Sequence, residues 1–124
     1  MIKTESNWMC KFDRGENSRA YELCLNDREC LSVAAYLGKE GIYLSHDVLD
    51  KKGELVESNG IDYCLETGKM EAVCLVPDDE PDTFREPNMA TLLEREAAFT
   101  KGTGLPKDLQ NVARLVFQAY KKRN

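Results

Sequence analysis

The only histidine in the sequence, His46, is the residue through which any Ser-His or Cys-His nucleophilic site would have to act. The alternation of apolar and polar residues around it places His46 on the same side of a predicted strand as Ile42 and Leu44. The next residue, Asp47, would point to the opposite face and could not orient the imidazole ring. We therefore interpret His46 as a partly buried structural side chain that needs a hydrogen-bond partner, and we assign no catalytic residue. A catalytic or ligand-binding role for His46 is the alternative.

The cysteines are the other potentially reactive side chains, and their number is odd: Cys10, Cys24, Cys30, Cys64 and Cys74. No two of them form a C-x-x-C pair, which argues against a disulfide framework and against a cysteine-based zinc site. The first six residues lack the apolar segment of a signal peptide, and no apolar run has the length of a membrane span. These features predict a cytoplasmic protein without a cofactor or a bound metal, whose cysteines mainly act as small core residues. A regulatory thiol and an all-carboxylate metal site are left open.

The charge of the chain is unevenly distributed. Lys and Arg number 17 and Asp and Glu number 22, which gives a net charge of −5. Residues 101–124 carry six basic side chains and one acid, so this segment is at +5 and residues 1–100 are at −10. An acidic body repels phosphate backbones, which argues against nucleic-acid binding, whereas it favours the encounter with a basic protein.

Alternating apolar residues and clusters of turn-forming residues predict strands over much of the chain: 8–12, 21–25, 42–48, 55–56, 61–65 and 70–76. Short turns between consecutive strands favour an antiparallel meander of five or six strands. The triplet Ser58-Asn59-Gly60 predicts a bulge or a second turn. Residues 26–38 fit either a short helix, capped by Asn26 and Glu29, or a strand, and we favour the strand.

The last third of the chain has a different pattern. Residues 77–87 hold three prolines and five acids, which predicts an exposed acidic loop. A first helix is predicted from a cap at Asn88 to about Lys101, followed by a glycine-rich helix–helix turn. A second helix is predicted from Pro106 onward, with an apolar stripe that would cover one face of the sheet. The sequence thus predicts a single α+β domain over 1–124: strands mainly in 1–76, the loop at 77–87 and two helices within 88–122.

Three functional hypotheses follow from these features. The leading one is a small acidic binding or accessory protein without catalytic activity, which contacts another protein and could block a basic partner as an inhibitor or immunity protein does. Its predicted contact residues lie in the acidic loop: Asp78, Asp79, Glu80, Asp82, Phe84 and Arg85. The second is a small-molecule binder or modest enzyme with a pocket between sheet and helices, lined by His46, Tyr43, Tyr63, Cys64 and Cys74. The third is a structural homodimer. None of them involves nucleic acid or a membrane.

Overall fold

The computed structural model describes residues 7–15, 18–36, 41–77 and 85–123. Within these ranges the chain forms six strands: β1 (Met9–Asp13), β2 (Ser18–Cys24), β3 (Glu29–Tyr36), β4 (Gly41–Leu49), β5 (Leu55–Cys64) and β6 (Met70–Leu75). Each strand pairs antiparallel with the next one, so the spatial order is the order along the chain. The predicted antiparallel meander is confirmed, with six strands in the described part of the chain.

Residues 26–38 contribute a strand, β3, and the helical alternative is not formed over Glu29–Tyr36. The two residues of the expected helix cap instead meet across the turn that precedes β3. The Asn26 side-chain amide donates to Glu29 Oε2 at 3.0 Å, and the Leu25 backbone N–H donates to the Glu29 carbonyl at 2.9 Å. These bonds close the β2–β3 hairpin.

The predicted interruption at Ser58-Asn59-Gly60 is wrong, because β5 runs without a break from Leu55 to Cys64. The glycine is required by a cross-strand neighbour and not by a turn. A Cβ atom at Gly60 would lie 2.4 Å from the Leu44 carbonyl oxygen and 2.7 Å from the Tyr43 ring. Gly60 therefore leaves space for the Tyr43 side chain to lie flat across β5.

The described residues after the sheet form three helices, one more than the sequence predicts: α1 (Ala90–Glu94), α2 (Glu96–Lys101) and α3 (Lys107–Lys122). The additional boundary is at Arg95, whose φ of −101° and ψ of 17° interrupt the helical hydrogen-bond series. The predicted cap at Asn88 is wrong by one residue, because the N-cap position of α1 is Met89, which makes no side-chain capping hydrogen bond. Asn88 Oδ1 accepts a hydrogen bond from the Ala90 N–H at 3.1 Å, from one residue before the N-cap. α3 begins at Lys107, one residue after the predicted start at Pro106, which occupies the N-cap position.

All three helices pack on one face of the sheet, which we call the helical face. Its buried core combines alternate residues of the strands with residues of each helix: Tyr21, Leu23, Leu31, Val33, Ile42, Leu44, Ile61, Leu92, Phe99, Leu109, Ala113, Val116 and Phe117. We call the other side of the sheet the open face. No helix of the described residues is both long and apolar enough to cross a membrane.

Candidate functional site

A cavity of about 590 Å³ lies on the helical face, between the sheet and the beginning of α3. Ala35 and Ile42 form its sheet side, because they are paired residues of β3 and β4 whose side chains point toward the helices. Leu109 and Val112 form its helix side, since their separation by three residues places them on one face of α3. The body of the cavity is thus apolar.

The mouth of the cavity carries two large side chains that remain accessible. Tyr36 is 50% exposed and Leu65 is 45% exposed, and both line the cavity. They stand at the same end of the sheet, because Tyr36 pairs with Gly41 and Gly41 pairs with Cys64. These two side chains extend the apolar wall outward, where an entering molecule would first make contact.

The polar wall is built around Arg19 of β2 and Asp108 at the start of α3. The guanidinium forms a two-pronged contact with the carboxylate, Nη2 to Oδ2 at 2.7 Å and Nη1 to Oδ1 at 3.3 Å. This hydrogen-bonded pair lowers the pKa of Asp108 and raises the pKa of Arg19. Asp13, which pairs with Arg19 in the β1–β2 register, also lines the cavity. Two carboxylates and one guanidinium give the polar wall a net charge of −1.

His46 lies on the helical face as the alternation predicts, but it is four residues beyond Ile42 along β4, or roughly 13 Å from the cavity end. Its ring is buried, and Nε2 lies 2.8 Å from Glu29 Oε1. Glu29 also accepts from the Asn26 amide. The pKa of Glu29 is lowered first by the hydrogen bond from Asn26 and then by the one to His46. His46 therefore has a partner within the fold and does not line the cavity.

The other residues of the predicted pocket are distributed over both faces of the sheet. Tyr43 lies on the open face, where its hydroxyl is 2.9 Å from Ser58 Oγ and burial raises its pKa to about 12. Tyr63 and Cys64 line a second cavity, of about 440 Å³, beside the β5–β6 hairpin. Cys74 pairs with Asn59 in the β5–β6 register. The structure thus brings Tyr63 and Cys64 together and separates them from His46 and Tyr43.

The Cys64 thiol lies in a different electrostatic environment from that of the Cys30 thiol. Hydrogen bonds from the side chain and the backbone N–H of Thr67 lower its pKa. By contrast, burial raises the pKa of Cys30 to about 12.

The open face carries a polar cluster that the sequence analysis did not identify. Asp47 is at its centre, with Oδ2 accepting from Ser32 Oγ at 2.8 Å and Oδ1 accepting from Ser58 Oγ at 2.6 Å. These residues come from β3, β4 and β5 and are adjacent only through the strand register. The alternation of apolar and polar residues along β4 already indicates that Asp47 points away from the helices, which is the sequence signal for this cluster.

The predicted partner-binding residues lie mostly outside the described part of the chain: Asp78, Asp79, Glu80, Asp82 and Phe84. Arg85 is described and exposed. The acidic-loop hypothesis therefore stays a prediction.

Glu29 gives the stability of the fold a testable pH dependence. Because its pKa is lower in the folded chain, ionised Glu29 stabilises the fold at pH values above its unfolded pKa of about 4.3. This contribution disappears as the pH falls through the folded pKa. We expect Glu29→Gln to destabilise the protein at pH 7 and to have a clearly smaller effect at pH 3, as measured by urea unfolding. Equal destabilisation at both pH values would contradict this account of the Asn26–Glu29–His46 contacts.

Comparisons of this chain with protein-family models, with curated proteins and with solved structures each find no match.

Proposed function

We propose that this protein binds a small, mainly apolar molecule in the cavity between the sheet and α3. The observation that carries the proposal is the cavity itself: about 590 Å³, apolar in its body and polar at one wall. Ligand sites in proteins are typically concavities of about 300–1,000 Å³, lined mainly by apolar side chains with a few polar groups that fix orientation. The cavity fits this description in volume and in lining.

The charges at the polar wall select the class of ligand. Arg19 is already engaged by Asp108, and Asp13 accepts hydrogen bonds from the Gly15 N–H and the Tyr21 hydroxyl. An anionic ligand would have to displace a carboxylate from the guanidinium and would meet a net negative wall. A neutral or cationic molecule faces no such competition. The proposed ligand is therefore an apolar body with a neutral or positively charged polar end.

Filling the cavity tests the proposal. Val112→Trp places a large ring in the cavity, whereas Leu115→Trp places the same ring on the exposed side of the same helix, where Leu115 is 52% exposed. With the neutral fluorescent probe N-phenyl-1-naphthylamine, we expect Val112→Trp to weaken binding at least about tenfold, or 1.4 kcal/mol. Leu115→Trp should bind the probe like the wild type.

The same titration can overturn the proposal. Thermal unfolding of both variants, followed by circular dichroism, establishes that they are folded. If folded Val112→Trp and Leu115→Trp bind the probe equally well, or if the wild type does not bind it, the cavity is not a ligand site.

A second candidate function, binding of a basic protein, is supported by the charge of the open face. Among the described strand residues, four acids point to this face: Glu22, Asp47, Asp62 and Glu71. Lys11 is the single base that the described contacts place there, in an ion pair with Glu22 at 3.6 Å. This surplus of negative charge would attract a basic surface and would be screened by salt.

Neutralising acids at different places tests whether binding depends on the charge of the open face or only on the net charge of the chain. Asp62 and Glu71 are exposed, paired in the β5–β6 register and suited to a double Asp62→Asn, Glu71→Gln variant. The double variant Glu86→Gln, Glu94→Gln removes the same charge at exposed positions before and within α1. We expect only the first to weaken binding of polylysine at low salt. Equal weakening by both would show a general effect of net charge.

The homodimer stays a third prediction. The described strands β1 and β6 form the two edges of the sheet and are where a second copy could pair.

A further inference from the structure

The β2–β3 hairpin brings two cysteines directly opposite each other. Cys24 and Cys30 are paired in the strand register, just before the Leu25–Glu29 backbone bond that closes the hairpin. Because bonded and non-bonded pairs alternate along antiparallel strands, this pair is of the non-hydrogen-bonded type, whose side chains approach more closely. The two cysteines are six residues apart in the sequence, but their side chains are neighbours in the sheet.

A carboxylate completes the group. Glu22 lies two residues before Cys24 and therefore on the same face of β2, the open face. The Cys24 thiol donates to Glu22 Oε1 at a sulfur–oxygen distance of 3.8 Å. The two sulfurs and one oxygen of Glu22 all lie within 4.8 Å of one another. Three potential ligand atoms thus converge on one point of the sheet surface.

The surroundings of this group favour a cation. Cys30 is only 2% exposed, whereas Glu22 and Cys24 are half-buried. An ion could therefore reach the group from the side of Glu22 and Cys24, while Cys30 is shielded from solvent. Asp47 pairs with Cys30 from the β4 side and adds a second negative charge. Among the described ion pairs, the Lys11 ammonium contacts this group: it is 56% exposed and lies 3.6 Å from Glu22 Oε1. A metal ion at the thiols could replace this exposed ion pair at little cost.

We propose that Glu22, Cys24 and Cys30 form a binding site for a thiophilic divalent cation of the zinc class. Two thiolates and one carboxylate are a suitable donor set for a tetrahedral ion, and a water molecule would occupy the fourth position. Metal–sulfur bonds are about 2.3 Å long and metal–oxygen bonds about 2.0–2.2 Å. To bind one ion, the distances between the three ligand atoms must therefore shorten by roughly 1 Å or less, which side-chain rotation can achieve. Each thiol releases its proton to solvent as its metal–sulfur bond forms.

Cobalt titration of the fully reduced protein provides the test, because Co²⁺ reports thiolate ligation by a charge-transfer band and tetrahedral geometry by intense visible bands. We expect the wild type to develop these bands with saturation at one equivalent, and Zn²⁺ to displace Co²⁺. Zn²⁺ should also raise the thermal midpoint of the wild type, since an ion that binds only the folded chain stabilises it.

Variants assign the ligands. Cys24→Ser should abolish the charge-transfer signal of the site or weaken metal binding at least about tenfold, a loss of 1.4 kcal/mol. Glu22→Gln should also weaken binding while retaining a thiolate band. Cys10→Ser and Cys64→Ser are matched controls, because these cysteines lie on other strands, and they should bind Co²⁺ like the wild type. Both test variants alter half-buried residues and leave buried Cys30 in place.

Three results would overturn the proposal. One is a wild-type protein with free thiols that develops no thiolate band at equimolar Co²⁺. Another is an unchanged titration in Cys24→Ser. The third is a disulfide between Cys24 and Cys30, detected by mass spectrometry of the protein handled in air, in a chain whose reduced form has no affinity for Co²⁺ or Zn²⁺.

Discussion

Replacing Phe117 with alanine is expected to lower the free energy of unfolding by about 3–5 kcal/mol, a large part of the total stability of a domain of this size. Phe117 is fully buried on the core side of α3. Its ring centroid lies 5.5 Å from that of Phe99, and the Phe99 centroid lies 5.3 Å from the ring centroid of Trp8. Truncation removes the last member of this aromatic row and leaves a cavity between α3 and the sheet. Urea unfolding followed by circular dichroism measures the loss.

Leu115→Ala is the control for this substitution. Leu115 is two residues away on the same helix and is largely exposed, so its truncation should cost less than about 0.5 kcal/mol. Comparable losses for the two variants would contradict the placement of α3 on the helical face.

Replacing Gly104 with alanine is the second substitution with a large expected effect, about 2–5 kcal/mol. Gly104 has a φ of +93°, at which a side chain costs about 1–2 kcal/mol. A Cβ atom there would also lie 2.5 Å from the backbone oxygen of Trp8. Because this contact involves backbone, it cannot be relieved by rotation of a side chain, and overpacking adds about 1–3 kcal/mol. The clash would displace Trp8, whose backbone N–H donates to the Thr103 carbonyl at 2.8 Å.

Gly53→Ala separates the two contributions. Gly53 has a similar φ of +83°, but nothing lies within 4 Å of a Cβ at that position, so only the backbone strain of about 1–2 kcal/mol applies. We expect Gly104→Ala to be the more destabilising variant and to shift the emission of Trp8 to longer wavelength. If the two glycine variants are equally destabilised and Trp8 emission is unchanged, the segment that contains Trp8 does not dock on the α2–α3 turn.

Much of the fold could be predicted from the sequence because burial of one sheet face imposes a two-residue period. Residues such as Ile42, Leu44 and His46 alternate visibly with polar neighbours, and short turns between strands leave the meander as the simplest arrangement. The prediction fails where a local pattern has a non-local cause. The triplet Ser58-Asn59-Gly60 has the composition of a turn, yet Gly60 is required by the Tyr43 side chain of the neighbouring strand.

The candidate sites were less accessible to sequence reasoning. Alternation already implies that Tyr43 and His46 point to opposite faces of β4, so a pocket lined by both was inconsistent with the predicted strand. The Arg19–Asp108 pair joins residues 89 positions apart, so no local sequence pattern predicts it. Cys24 and Cys30 become neighbours only when residues 29–36 are assigned to a strand, and the sequence left that assignment open.

The most direct test of the proposed ligand cavity is a methyl-resolved NMR titration of the full chain with N-phenyl-1-naphthylamine. The account predicts concentration-dependent shifts at methyl groups of Ile42, Leu109 and Val112, which line the cavity, while Val73 on the open face stays unchanged. Shifts confined to Val73 and its neighbours on the open face, or no shift at any methyl group of the cavity, would contradict the account.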